Sequence, residues 1–294
     1  MTTTNTSTSS TSEPIIVGYD RSAGSERAVR WAARHASTTG LPLTVVHASP
    51  WPLFTDNLGP VEGIKDSGLQ HEAEMLVTEG LNLALTTAPG ITATKHLVTG
   101  FPANELTRLS AEASLLVTGT RGLGGFTGLL IGSVSLHLAA SASCPIMIVR
   151  EDTTTRDHVL IAVDGSPESD RAVLAGAALA QALHQSIQLL HALPYSRHQF
   201  DTAFEPGGAY DVAAEAERDS AIQQALNLLA SDTDLTIADA TITAVSIPGA
   251  IIDHARTASC VVLGAKGNNT LSARLGSTVH AVMHHSTTNV LVVR

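Results

Sequence analysis

Gly119, Gly122, Gly132 and Ser133 frame the stretch GTRGLGGFTGLLIGS, which overlaps the end of an apolar run, SLLVTG, and holds six glycines in fifteen positions. Glycines that follow a strand-like run let a ligand approach the backbone closely. A glycine–serine pair opening a helix presents free N–H groups and a hydroxyl to anionic oxygens. The chemistry such a loop supports is phosphate binding. Gly122, Gly124 and Gly128 also approximate a dinucleotide fingerprint, but they carry one residue too many and follow the fourth strand-like run. The pyrophosphate turn belongs after the first strand. No G-x-x-x-x-G-K-[ST] segment occurs in the chain, which argues against a Walker A loop.

The chain contains its own control, because the loop is written twice. GAKGNNTLSARLGS retains Gly264, Gly267, Gly276 and Ser277 but has no counterpart of Gly124, Gly125 or Gly128. Those three therefore read as loop flexibility, and the recurring four as the functional set. The repeat extends much further. At an offset of 144, Asp20 falls on Asp164, Ser22 on Ser166, Ser25 on Ser169 and Arg27-Ala28-Val29 on Arg171-Ala172-Val173. The same offset carries His47-Ala48 onto His191-Ala192, Gly132-Ser133 onto Gly276-Ser277 and Val149-Arg150 onto Val293-Arg294. Self-similarity at this period is a duplicated domain. The polar segment EDTTTRD separates the copies, so the expected organisation is a disordered tail over 1–13, one domain over 14–150, a linker over 151–157 and a second domain over 158–294.

Each copy alternates β-branched runs with helical patterns. In the first, PIIVGY, LTVVHA, TKHLV, SLLVTG and IMIV read as strands, and helices are expected from Ser22 and near 67–87, 103–113 and 132–142. Val29, Ala32, Ala33 and Ala36 repeat at the spacing of a buried helical stripe, as do Val173, Gly176, Ala177 and Ala180. Ser166-Pro167-Glu168 is a helix start, with a capping hydroxyl, a proline in the first turn and a carboxylate near the positive helix end. The βαβαβαβαβ order predicts an α/β fold of two doubly wound, Rossmann-like domains, each with a five-stranded parallel sheet of order 3-2-1-4-5. In that order the first and fourth strands are neighbours where the winding reverses, and Asp20 and Gly119 would face each other across the ligand crevice.

Composition narrows the function. The formal charge of −10 argues against nucleic acid, whose binders need a basic face. With 44% hydrophobic and 3% aromatic residues, small aliphatic side chains must fill the interior, which suits parallel sheet covered by helices. No stretch reaches the ~18 uninterrupted apolar residues of a membrane span, and MTTTNTSTSSTSE lacks the charge and apolar core of a signal peptide. A cytoplasmic protein is expected. Cys144 and Cys260 lie at strand-like runs without metal spacing and read as buried thiols.

The spacing Gly119-x-x-Gly122, nine residues, Gly132-Ser133 resembles the G-2x-G-9x-G-(S/T) signature of the ATP-binding branch of the universal stress protein family. An Asp ending the first strand, Ser22 and Ser25 opening the first helix and His47 ending the second strand add to the resemblance. It covers both copies, as in the tandem members common in actinobacteria. The resemblance implies an adenine nucleotide hydrolase-like fold and ATP, with or without Mg2+, as ligand. It places Gly119, Thr120, Arg121, Gly122, Gly132, Ser133, Val134 and Ser135 along ribose and phosphates. Gly18 and Asp20 would lie at the nucleoside end, and Ala48 would offer its backbone to adenine. In the second copy the corresponding set is Asp164, Ala192, Gly264, Lys266, Gly267, Gly276, Ser277 and Thr278. There eight residues, not nine, separate Gly267 from Gly276. The missing residue would either be absorbed in the loop or pull the helix start out of phase, with Lys266 adding a phosphate partner. Both halves are expected to bind.

No base, nucleophile and orienting partner occupy recognisable positions, and a phosphate site alone does not cleave phosphate. The resemblance implies binding with slow or absent turnover, so the expected role is a non-catalytic regulator of stress or slow growth. The alternatives are a slow ATPase or other nucleotide-dependent enzyme, and an interaction module with a vestigial loop. His47 and His191 read as packed histidines at the sheet edge, His284-His285 lacks a third metal ligand, and Glu72, Glu74 and Glu79 read as a solvated helix face. IMIVR and VLVVR would supply edges for pairing between the halves or between chains of a homodimer.

Overall fold

Runs of Ile, Val and Leu bounded by glycine and polar residues form the strands of a computed structural model that describes residues 12–50, 68–120, 131–152, 155–194, 212–231, 234–267 and 275–294. The first half runs β1 (Ile15–Gly18), α1 (Ala23–Thr39), β2 (Leu43–Ser49), α2 (Gly68–Thr87), β3 (Ala93–Thr99), α3 (Pro102–Leu109), β4 (Leu115–Gly119), α4 (Ser133–Ser141) and β5 (Ile146–Val149). The second runs β6 (His158–Ala162), α5 (Pro167–Leu183), β7 (Ser186–Pro194), α6 (Val212–Leu229), β8 (Ile237–Ala244), α7 (Ile247–Ala255), β9 (Cys260–Gly264), α8 (Ser277–His285) and β10 (Asn289–Val293). The third helix is shorter than its periodicity suggests. It ends at Leu109 and tightens into a 3-10 turn, Ser110–Glu112, before β4.

All ten strands belong to one sheet of order β3-β2-β1-β4-β5-β10-β9-β6-β7-β8. Each half contributes the expected 3-2-1-4-5 order in parallel, and the halves join where β5 meets β10 antiparallel, with Ile146, Met147 and Ile148 opposite Val292, Leu291 and Val290. The last strand of each copy thus pairs with the other copy of the same chain. These two edges are consumed internally, which leaves β3 and β8 as the outer strands.

Alternation along the strands divides the core into two layers, one on each face. Ile15 and Val17 face the layer that contains α1, and Ile16 faces the other; Val159 and Leu160 divide in the same way. Both layers draw residues from both halves. The helical stripes are where the periodicity puts them: Val29, Ala32, Ala33 and Ala36, and their counterparts Val173, Gly176, Ala177 and Ala180, are buried. At Gly176 a Cβ would lie 2.5 Å from Ile161 Cδ1, so α5 packs directly on the sheet. Both cysteines are buried and unpaired, and burial pushes the Cys144 thiol up to about 11 and that of Cys260 further. No helix among the described residues is long and apolar enough to cross a membrane.

The repeated Val-Arg pair at the end of each copy has a structural use. The Arg150 guanidinium donates to the Met283 carbonyl near the end of α8, and Arg294 donates to the Ala140 carbonyl near the end of α4. Each half thereby sends a cation to the negative end of the other half's last helix. Asn289 adds an acceptor for the Arg150 backbone N–H at 2.8 Å. Arg156 in the connecting segment pairs with Glu151 at 2.7 Å and donates to the Ala258 carbonyl and Thr288 hydroxyl, both at 2.7 Å.

Candidate functional site

The turn between the first strand and first helix of each half is built by three side chains. Ser22 caps α1 by accepting from the Ser25 N–H at 3.1 Å, and the Asp20 carboxylate accepts from the Ser22 N–H at 3.0 Å. The Ser25 hydroxyl accepts from the Asp20 N–H at 3.3 Å. Asp164, Ser166 and Ser169 repeat these three bonds at 3.0, 3.1 and 3.2 Å. The Asp-x-Ser-x-x-Ser pattern therefore fixes where the aspartate stands at the C-terminal edge of the sheet. Serine, not aspartate, supplies the helix cap.

The strand-ending glycines answer a packing demand. A Cβ at Gly119 would lie 2.4 Å from the Gly24 backbone carbon, and one at Gly264 would lie 2.8 Å from that of Glu168. The first turn of the first helix crosses directly over the end of the fourth strand in both halves. Glycine is required there by the helix, which corrects the expectation that a Cβ at Gly119 would press on a ligand. A Cβ at Gly267 would lie 2.5 Å from Asp164 Oδ2, so the loop after β9 rests against the strand-1 aspartate. Arg121, Gly122, Gly124, Gly125 and Gly128 lie outside the described residues.

At the starts of α4 and α8 the chain leaves N–H groups for something else. Gly132 and Gly276 are the N-caps, both extended, and neither receives a side-chain capping bond, whereas Ser22, Ser166 and Ser246 cap their helices. The Gly132 N–H donates to the Thr120 carbonyl at 2.6 Å and the Gly276 N–H to the Ala265 carbonyl at 2.8 Å. These are equivalent bonds. The residue missing from the second loop is absorbed before Gly276, and α8 begins in phase with α4. Ser133 and Ser277 are exposed at these starts, and Val134 is half-buried. Ser135 turns inward instead: its hydroxyl donates to the Gly119 carbonyl at 2.8 Å and it is 2% exposed. Its partner across the interior, Thr118, and Ser135 itself are replaced in the second half by Leu263 and Val279, both buried. The hydroxyl of Ser135 thus serves the core.

In the second half these elements enclose a cleft of about 710 Å3 at the C-terminal edge of the strands. Asp164, Ala192, Gly264, Lys266, Gly267, Gly276, Ser277 and Thr278 all line it. Every second-half residue singled out from the sequence is therefore brought together, at a size typical of small-molecule sites. Sequence reasoning missed the walls: Ser220, Ala221 and Gln224 of α6 on one side and Ile247 and Ile251 of α7 on the other. Their signal was the helical period alone, which does not reveal that a helix face looks into a cleft. His191 also lines it, buried to 5%. Its counterpart His47 places Nδ1 2.8 Å from the Tyr19 carbonyl.

The first half sets Gly18, Asp20, Ala48, Gly119, Thr120, Gly132 and Ser133 on the same strand ends and helix start. It differs at the rim. Arg21, at the position of Gly165, adopts the left-handed conformation with φ of 65°, beside 73° for the glycine. Its guanidinium holds Glu79 of α2, Nη2 to Oε2 at 2.6 Å and Nε to Oε2 at 2.8 Å, while the Tyr19 hydroxyl donates to Glu79 Oε1 at 2.8 Å. Glu79 is engaged by its neighbours, and Glu72, Glu74 and Glu79 are all exposed, as a solvated helix face requires. The bond from Arg21 and then that from Tyr19 lower the Glu79 carboxyl, and burial followed by Glu79 raises the Tyr19 phenol. No cluster of three or more His, Cys, Asp or Glu placed to hold a metal occurs among the described residues.

Comparison with known proteins agrees with this architecture at every level. The universal stress protein family model matches residues 11–150 and again 155–294. Universal stress protein Rv2005c of Mycobacterium tuberculosis is 26% identical over 290 residues, covering 95% of this chain and 96% of its own. Universal stress protein Rv2623 of the same organism is 35% identical over 147 residues, 48% of this chain and 46% of its own. Among solved structures, a universal stress protein from Archaeoglobus fulgidus superposes with a TM-score of 0.67 at 18% identity, covering 96% of this chain and 98% of that one. With two matched domains that fill nearly the whole chain, one sheet shared between them and a cleft at the strand ends of the second, the chain belongs to the universal stress protein family.

Proposed function

We propose that the chain is an ATP-binding regulator that holds one nucleotide in each half and acts through occupancy rather than turnover. The observation that supports this most directly is the second cleft, where an uncapped helix start, the exposed Ser277 hydroxyl and the Lys266 cation meet in about 710 Å3. Free N–H groups at a positive helix end bind phosphate oxygens, and a lysine adds a point charge. Ala192 in β7 would offer backbone groups to adenine, and Asp164, which also lines the cleft, would lie at the nucleoside end. Mg2+, when present, would neutralise phosphate oxygens facing solvent. The first half carries the same frame, including the Gly132–Thr120 bond that sets the helix start in register.

A regulator of stress or slow growth acting in the cytoplasm fits the family and the net charge of −10. Because β5 and β10 pair within the chain, a homodimer would use helical faces or the outer strands. Native mass spectrometry of the protein incubated with ATP, with an assay for ADP, tests the reading. Two ATP per chain without ADP is the expected result. Ser277→Glu, which puts a carboxylate at the start of α8, should reduce this to one, and adding Ser133→Glu should abolish binding. Rapid ADP formation, or empty sites in the unaltered protein, overturns it.

A further inference from the structure

The two halves are built on one plan but do not present the same candidate site, and the difference is concentrated in three linked positions. Val163, Gly165 and Gln224 of the second half correspond to Tyr19, Arg21 and Glu79 of the first. All three second-half residues line the cleft. Gly165 leaves the rim bare, with the nearest α6 atoms, the Ala221 Cβ and Gln224 Oε1, 3.7 Å from where a side chain would begin. Gln224 donates to both Asp170 carboxylate oxygens at 2.8 Å. In the first half the same place is filled. Arg21 reaches from the strand-1 turn to α2, and Tyr19 holds the same carboxylate from below.

The backbone gives a second, independent observation. The left-handed conformation is natural for Gly165 and unfavourable for an arginine. The first half keeps it at Arg21 nonetheless. Strain of this kind clusters at ligand clamps and active sites, and the equivalent Gly165 lines the second cleft. A guanidinium is planar and suited to stack on an aromatic ring, and Arg21 follows Asp20 directly in the chain.

We infer that Tyr19, Glu79 and Arg21 form a clasp that makes the first cleft the tighter of the two adenine-nucleotide sites, with Arg21 as its specificity-determining wall. This rests on the nucleotide-binding reading above. The Glu79 carboxylate orients the guanidinium and the Tyr19 hydroxyl orients the carboxylate. Arg21 then covers the nucleoside end of the first cleft, which in the second half stays open at Gly165. Glu79 and Tyr19 act through Arg21 and are positioning residues.

Calorimetric titration with ATP in the Ser277→Glu background, where only the first cleft is competent, tests this. Arg21→Gly restores the residue of the second copy and relieves the backbone, so a folding failure is not expected. It should weaken ATP about tenfold and leave inorganic triphosphate, which lacks the nucleoside, unchanged. Glu79→Gln should weaken ATP less than Arg21→Gly does and likewise leave triphosphate unchanged. Gly165→Arg with Gln224→Glu, in the Ser133→Glu background, should tighten the second cleft. Equal ATP affinity with and without Arg21→Gly overturns the clasp while leaving the nucleotide reading intact. Equal loss for ATP and triphosphate also overturns it, because that marks a general charge effect. Absence of ATP binding to the unaltered protein overturns both readings together.

Discussion

A methyl group added to Gly119 would meet the backbone of Gly24 at 2.4 Å, and backbone cannot rotate away as a side chain can. Overpacking of this kind costs about 1–3 kcal/mol. Gly119→Ala is therefore expected to lower the urea midpoint without any nucleotide present, and any loss of ATP affinity would follow from displacement of α1. A variant as stable as the unaltered protein would refute the packing role. Gly276 provides the contrast, since its added Cβ would meet nothing closer than 3.5 Å and its φ of −69° suits any residue. Gly276→Ala should lower the unfolding free energy by no more than about 1 kcal/mol, the scale of replacing glycine by alanine at a helix N-cap. The two glycines share one sequence motif and separate into two physical jobs. Close approach to a ligand and close approach to a helix both demand the absence of a Cβ, so spacing alone does not distinguish them.

At the scale of elements, the helices show what periodicity and capping chemistry determine locally. Ser22 and Ser166 cap as their positions before the buried stripes require, and Pro167 occupies the first turn of α5. What periodicity does not carry is the company a helix keeps. The faces of α6 and α7 that line the second cleft are assembled only when distant segments pack, and the clasp needs α2 to be placed beside the strand-1 turn. On α1, His35 stacks on Trp31 with ring centroids 4.9 Å apart, and burial lowers its pKa to about 4. The folded state therefore prefers neutral imidazole. Above pH 6.5 the ring is neutral in both states and stability is unaffected. As pH falls below 6.5 the unfolded chain takes up a proton that the fold refuses, and stability declines until pH 4. Each unit is worth ~1.4 kcal/mol, so the loss between pH 7 and pH 5 is at most about 2 kcal/mol. His35→Leu should flatten that part of the stability profile in denaturation series at the two pH values. An unchanged pH dependence in the variant would show that His35 is not its source.

The whole molecule behaves as one sheet rather than two tethered domains, and that is the least legible feature of the sequence. The duplication makes two units obvious, but the edges IMIVR and VLVVR are equally suited to pair within a chain or between chains. Only the folded path of 151–157 decides. In the structure the choice is intramolecular: β5 and β10 pair, both core layers run through the seam, and Arg150 and Arg294 each tie one half to the other's last helix. A continuous core predicts cooperative unfolding, with a single calorimetric transition whose calorimetric and van't Hoff enthalpies agree. Two resolved transitions in the unaltered protein would contradict it. Arg150→Ala with Arg294→Ala removes the two cross-seam hydrogen bonds to the last helices and should lower that transition or split it into two. Cooperativity also makes each cleft a handle on the entire chain. Ligand that binds only the folded state stabilises by about 2.7 kcal/mol at a hundredfold excess over Kd. In the Ser277→Glu variant, ATP held by the first cleft alone should thus raise the one transition of both halves together, whereas in the seam variant it should raise only the transition of the half that binds it.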